Sequence, residues 1–198
     1  MKLREIIKLS AIILNLDDVL NGTKIYDETY DIINEQNVIK NGTVEERTLN
    51  LLMRCFNLVY SEIATDYFPL ICQEKIVVKN GNFKLGDLEN RLYKLVKIED
   101  EDYKEPKFKI YDNVLYVKNG TYTIVYSFVP TKCSLNSEVN NFNGKIVDRI
   151  FAYGINKEYC FISGLYEEAE SYRLKFEDCI KLCKSNQKNL TLYKRRWI

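Results

Sequence analysis

Histidine is absent from this 198-residue sequence. The chain therefore lacks the commonest general base and the commonest protein metal ligand. A Ser or Cys nucleophile has no imidazole to activate it. An excess of one charge is missing too: 29 Lys and Arg offset 28 Asp and Glu, leaving a formal net charge of +1. Such a balance argues against a protein that coats nucleic acid through bulk electrostatics. With only 3 Pro and 8 Gly, the sequence is not of low complexity. Long apolar runs are lacking as well. The stretch from Ile6 to Leu16 is interrupted by Lys8, Ser10 and Asn15, and nothing approaches the roughly 18–20 apolar residues of a membrane span. Neither GxxxxGKS/T nor GxGxxG occurs, which removes the usual phosphate-cradling loops.

What is present is a globular composition, 46% hydrophobic, 29% charged and 13% aromatic. The length fits one large domain or a domain with a sizeable insertion, and it suffices to bury a core without metals or disulfide staples. The cysteines are Cys55, Cys72, Cys133, Cys160, Cys179 and Cys183. No secretory leader pattern is read at the N-terminus, so a reducing compartment and free thiols are expected. Cys179 and Cys183 are spaced i, i+4 on an expected helix. A zinc site would need two further ligands of suitable type, and buried thiols are the simpler reading.

Hydrophobic periodicity places a helix over residues 2–15, with Leu3, Ile6, Ile7, Ser10, Ile13 and Leu14 on one side and Lys2, Arg4, Glu5 and Lys8 elsewhere. Asn21-Gly22 breaks the chain, a weaker helix is expected over 25–38, and Asn41-Gly42 breaks it again. Thr43-Val44-Glu45-Glu46 has the form of a capping box. It opens a helix expected from 44 to 67, in which Leu49, Leu52, Met53, Phe56, Val59, Tyr60 and Ile63 keep a helical period; Pro69 follows as a stop. Residues 74–129 change character, becoming rich in β-branched and aromatic residues, with strands expected over 74–79, 91–98, 108–111, 114–118 and 121–129. In the second of these, alternation sets Leu92, Lys94, Val96 and Ile98 against Tyr93, Leu95 and Lys97. Asp112-Asn113 is a tight hairpin turn by type. Residues 131–143 are polar and irregular. Two helices, 144–163 and 165–185, close the chain with Gly164 between them. The second carries Leu165, Ala169, Tyr172, Phe176, Cys179, Ile180 and Cys183 as its stripe. The fold class expected is α+β: a helical bundle body of about four to five helices in 1–70 and 131–198, with an antiparallel β module inserted at 71–130.

Chemistry is sparse in this frame. Glu99, Asp100, Glu101 and Asp102 form an acidic run, and acids adjacent in a hairpin loop are more simply a solvated charge run than a hydrolytic or Mg²⁺ site. The Tyr-rich strands lack the interleaved Arg that a base-stacking platform would carry. The most pointed local feature is the terminus, Lys194, Arg195, Arg196, Trp197 and Ile198. Trp and Arg dominate binding hot spots, so this arm reads as a candidate anchor, against the plainer reading of a frayed tail. No catalytic residue, cofactor site or metal site is assigned, and an enzyme is not expected.

The order of elements, with certain stretches, resembles the head-to-tail adaptor (connector ring) proteins of tailed bacteriophages, in particular the tail-tubular-protein-A-like adaptors of short-tailed phages and the ring proteins of crAss-like phages. The stretches are Leu3-Arg4-Glu5-Ile6-Ile7; the strands 91–98, 107–117 and 123–128; Phe151-Ala152-Tyr153-Gly154-Ile155-Asn156-Lys157-Glu158-Tyr159-Cys160; Gly164-Leu165-Tyr166-Glu167-Glu168-Ala169; and Arg195-Arg196-Trp197. Asn156 stands where that family usually has a small residue, and Tyr67-Phe68-Pro69 where a Pro-Trp is often seen.

The resemblance implies a ring, commonly a dodecamer, assembled in the host cytoplasm and carried in the virion beneath the portal. Such a ring extends the channel for double-stranded DNA and joins the capsid to a tail or second ring protein. It implies no membrane partner. A ring needs one heterologous interface repeated until it closes. In this reading Lys194, Arg195, Arg196, Trp197 and Ile198 dock on the portal or a neighbouring subunit, and Glu99, Asp100, Glu101 and Asp102 form an acidic channel rim. The alternatives are another virion assembly or tail-completion protein, or a cytoplasmic module that binds nucleic acid or protein.

Overall fold

A computed structural model describes residues 2–31, 35–140, 142 and 146–185. The fold is α+β, and the chain divides into two compact units: Met1–Val59 with Lys132–Ile198, and Tyr60–Thr131. The first boundary falls inside a helix rather than after Pro69.

The first unit is helical. Helix α1 (Leu3–Leu14) buries Leu3, Ile6, Ile7, Ser10 and Ala11. It stops at Asn15, whose φ of 52° is left-handed, a conformation Asn tolerates because its side chain can bond locally. A single turn, α2 (Asp17–Leu20), follows. The helix expected over 25–38 does not form across that span. Residues 23–30 make turns instead, Tyr26 N–H donating to Thr23 O and Tyr30 N–H to Asp27 O, each at 3.1 Å. The next helix, α3, covers only Glu35–Asn41. Two side chains explain the difference. Asp27 accepts from the Thr29 backbone N–H at 2.9 Å and from its hydroxyl at 2.7 Å, a local closure that competes with helix. Arg4, meanwhile, takes the carbonyls of Lys24, Ile25 and Tyr30, so they cannot serve a helical ladder.

Helix α4 (Val44–Glu62) opens on the capping box. The Thr43 N–H donates to Glu46 Oε2 at 2.8 Å, and the Glu46 N–H donates to Thr43 Oγ1 at 3.2 Å. The last turn of the expected helix, Ile63–Tyr67, is π-helical. Thr65 lies in it and bonds back to the Ser61 carbonyl at 3.0 Å, as inserted hydroxyls do in widened turns.

Helices α5 (Asp148–Ile162) and α6 (Tyr166–Ser185) form a hairpin broken at Gly164, which adopts φ +77°. The core of this unit joins α1, α4 and α5, with Phe56 and Phe151 stacked at 5.4 Å between ring centroids. Gly154 sits where α5 meets its neighbours: a Cβ there would overlap Val59 and lie 3.3 Å from the Phe176 ring. Asn156, in place of a small residue, is fully buried and accepts a hydrogen bond from the Ser10 hydroxyl of α1.

The second unit holds two three-stranded antiparallel sheets. One has the order β1 (Leu70–Val78), β6 (Gly120–Phe128), β3 (Leu92–Glu99); the other β2 (Asn82–Lys84), β5 (Val114–Tyr116), β4 (Lys109–Tyr111). They share a core to which Ile76, Val78, Leu85, Ile98, Leu115, Ile124 and Tyr126 contribute. The β4–β5 turn is Asp112-Asn113, both left-handed at φ 48° and 60°, the geometry that matches strand twist in a two-residue hairpin. Tyr122, Ile124, Tyr126 and Phe128 share the inner face of β6 as expected.

Strand β3 departs from simple alternation. It pairs with β6 through Leu92↔Phe128, Lys94↔Ser127, Leu95↔Tyr126, Lys97↔Val125 and Ile98↔Ile124, with irregularities between Leu92 and Lys94 and between Leu95 and Lys97. Each bulge inserts one residue. The inward positions are therefore Leu92, Leu95 and Ile98, while Val96, expected to share a face with Ile98, is 57% exposed.

Candidate functional site

The five arm residues Lys194, Arg195, Arg196, Trp197 and Ile198 lie outside the described residues. The acidic run is described, and its geometry is that of a closed loop. Glu99 ends β3 with its carboxylate 2.5 Å from Lys97 Nζ. Asp100 Oδ1 accepts the N–H groups of Asp102 and Lys104 at 3.0 and 2.8 Å, and the Asp100 N–H donates to the Lys104 carbonyl at 2.9 Å. Asp102 pairs with Lys104 at 3.5 Å. Tyr103 tops the turn with φ +60° and 84% exposure. Neighbouring lysines and the turn's own amides thus occupy three of the four carboxylates, and Glu101 is the exposed fourth. The four acids do not form a single-sign rim in this geometry.

Inside the same unit, a polar cluster spans β1 and β6. The Tyr126 hydroxyl donates to Glu74 Oε1, and Glu74 Oε2 accepts the Glu89 N–H at 3.2 Å. The Asn90 amide donates to the Tyr126 oxygen at 3.3 Å. Burial, then the bond to Glu74, pushes the Tyr126 hydroxyl above its ordinary pKa. Both partners keep their protons and lone pairs engaged, so the pair acts as a cross-strand lock.

A second lock lies in the helical unit. Arg4 is 3% exposed, and its guanidinium donates to the carbonyls of Lys24 (2.8 Å), Ile25 (3.0 Å) and Tyr30 (2.6 Å) and to Asn136 Oδ1 (2.7 Å). A charged residue placed off the apolar stripe by sequence is thus the hub that gathers loops 24–30 and 134–137 onto α1. Cys55 is buried, and burial pushes its thiol up to about 12. It is a packing group rather than a nucleophile. Four of the cysteines, Cys72, Cys133, Cys179 and Cys183, are only half-buried, so the core-filler reading holds for Cys55 and Cys160 alone. Among the described residues no three Cys, Asp or Glu side chains converge as a metal set, and no helix is long and apolar enough to cross a membrane.

The least expected surface is the turn of the α5–α6 hairpin. Phe161, Ile162, Leu165 and Tyr166 are 61%, 53%, 46% and 67% exposed, and the Phe161 and Tyr166 rings meet edge-on at 5.8 Å. Leu165 was expected on the buried stripe of α6; it precedes the helix and faces solvent, while Ala169, Phe176 and Ile180 carry the burial. The signal was available in outline, since Phe161-Ile162 directly precedes the Ser163-Gly164 break and lies off the stripe of its own helix. Beside this turn a groove of about 460 Å³ opens between α5 and α6. Phe161, Tyr166 and Ala169 supply its apolar side, and Glu158, Glu170 and Arg173 its polar rim. Clustered exposed side chains of this kind mark association surfaces rather than reaction centres.

No known protein-family model matches the chain, and no curated protein matches it in sequence.

Proposed function

We propose that the protein is a structural head-to-tail adaptor of a tailed bacteriophage, assembling as a ring beneath the portal and linking capsid to tail around the DNA channel. The observation that carries this reading is the exposed apolar turn at Phe161, Ile162, Leu165 and Tyr166, on the same hairpin whose Ala152, Gly154 and Ala169 carry the likeness to adaptor helices. In this reading the small residues let α5 pack tightly, and the apolar turn meets another subunit. A net charge of +1 suits a conduit that DNA must slide through without being gripped. The protein acts without a cofactor and performs no catalysis.

The acidic loop is not part of this proposal as a uniform rim, because Lys97, Lys104 and the turn amides already engage most of it. The partners proposed are a portal protein, a tail or second ring protein, and further copies of the chain. Native mass measurement and electron microscopy of the protein, alone and mixed with the portal of the phage that encodes it, test the reading. A ring of defined copy number seated on the portal is the expected result. A chain that stays monomeric and unbound in the presence of portal overturns it.

A further inference from the structure

The groove between α5 and α6 has an apolar side and an excess of negative charge. Its two cations are already matched: Lys157 pairs with Glu158 at 3.1 Å, and Arg173 with Glu170 at 2.6 Å and also with Glu177. Glu167 and Glu168, exposed in the first turn of α6, are the surplus. The occupant such a surface suits is a short segment that ends in large apolar groups and carries adjacent cations. The chain has one such segment, Lys194-Arg195-Arg196-Trp197-Ile198, which contains the sole Trp of the sequence.

Distance permits the match within one molecule. At 1.5 Å per residue, the axis of α6 runs only about 18 Å from Arg173 to Ser185. The chain from Ser185 to Trp197 spans up to about 40 Å when extended. A segment joined by so short a connection meets its site at millimolar effective concentration, which favours the chain's own tail over a second copy at micromolar protein.

We propose that the α5–α6 groove is the docking site of the chain's own C-terminal segment. Trp197 and Ile198 cover Phe161, Tyr166 and Ala169, and Arg195 and Arg196 face Glu167 and Glu168. This goes beyond the adaptor reading and does not depend on it. If a portal is the partner, the docked arm is held in reserve until the portal competes for it.

The single Trp makes the test direct. Trp197 fluorescence, excited beyond tyrosine absorption, is measured on the full-length protein over a range of protein concentrations, with acrylamide as quencher. The expected result is a blue-shifted, weakly quenched emission that does not change with concentration. Phe161→Ser with Tyr166→Ser, both at exposed positions, should red-shift it and raise quenching several-fold, with far-ultraviolet circular dichroism unchanged. Glu167→Lys with Glu168→Lys should shift it the same way and give a second variant in case the first misfolds. Emission typical of water-exposed Trp in the native protein overturns the proposal. So does a blue-shifted emission that both folded variants leave unchanged, or one that develops only as concentration rises, which would assign the groove to a second copy. Ring assembly is not read in this experiment, so its outcome is separate from that of the adaptor reading.

Discussion

At Glu46 one carboxylate closes the capping box and also pairs with Lys24 at 3.0 Å. The Thr43 N–H is the largest cause, and Lys24 the next, of a pKa lowered from 4.5 to about 2. The folded value lies below the unfolded one, so the stabilisation is complete above about pH 4.5 and is lost as pH falls toward 2. Glu46→Gln should flatten that part of a stability–pH profile measured by denaturant titration, while an unchanged acid limb would show that the pair contributes nothing. Gly154 is the steric counterpart. Alanine normally gains about 1 kcal/mol over Gly inside a helix, but here its Cβ overlaps Val59. Gly154→Ala should therefore destabilise by about 1–3 kcal/mol, read from the shift in urea midpoint. A stabilised variant would show that α5 can slide away from α4.

Among the elements, β3 separates register from pattern. Its two bulges turn a period of two into a spacing of three for Leu92, Leu95 and Ile98. Leu95→Ser should cost about 1–3 kcal/mol, whereas Val96→Ser should change stability by less than about 0.5 kcal/mol. Equal costs would restore simple alternation. Features set by neighbours in sequence were legible without the structure: the Thr43–Glu46 box, the Asp112-Asn113 turn and the Gly164 break each depend on a few adjacent residues. Features set by distant partners were not. The bulges of β3 arise from pairing with β6. The turns at 23–30 replace a helix because Arg4 claims their carbonyls, and only the fold brings Arg4 there. The candidate site was legible to the same degree. The acidic run was visible as charge, but its closure by Lys97, Lys104 and backbone amides was not. The apolar turn at Phe161 and Tyr166 was hidden inside an ordinary hydrophobic count.

For the whole molecule, removal of residues 190–198 separates folding from assembly. The described core of the helical unit includes none of them, so thermal unfolding of the truncated chain should be close to that of the full chain. Association with portal, followed by co-sedimentation, should be lost; unchanged binding would remove the arm from the interface. The two-unit division also fixes an order of events during synthesis. The β unit occupies one continuous stretch, Tyr60–Thr131, whereas the helical unit is split around it. Ser10 meets Asn156 across 146 positions, and Arg4 meets Asn136 across 132. On the ribosome α1 therefore waits, its apolar face and its buried-to-be guanidinium without native partners, until the whole β unit and then α5 have emerged. The N-terminal helix is the first element made and among the last to be satisfied, which makes this interval the one in which a chaperone has something to hold.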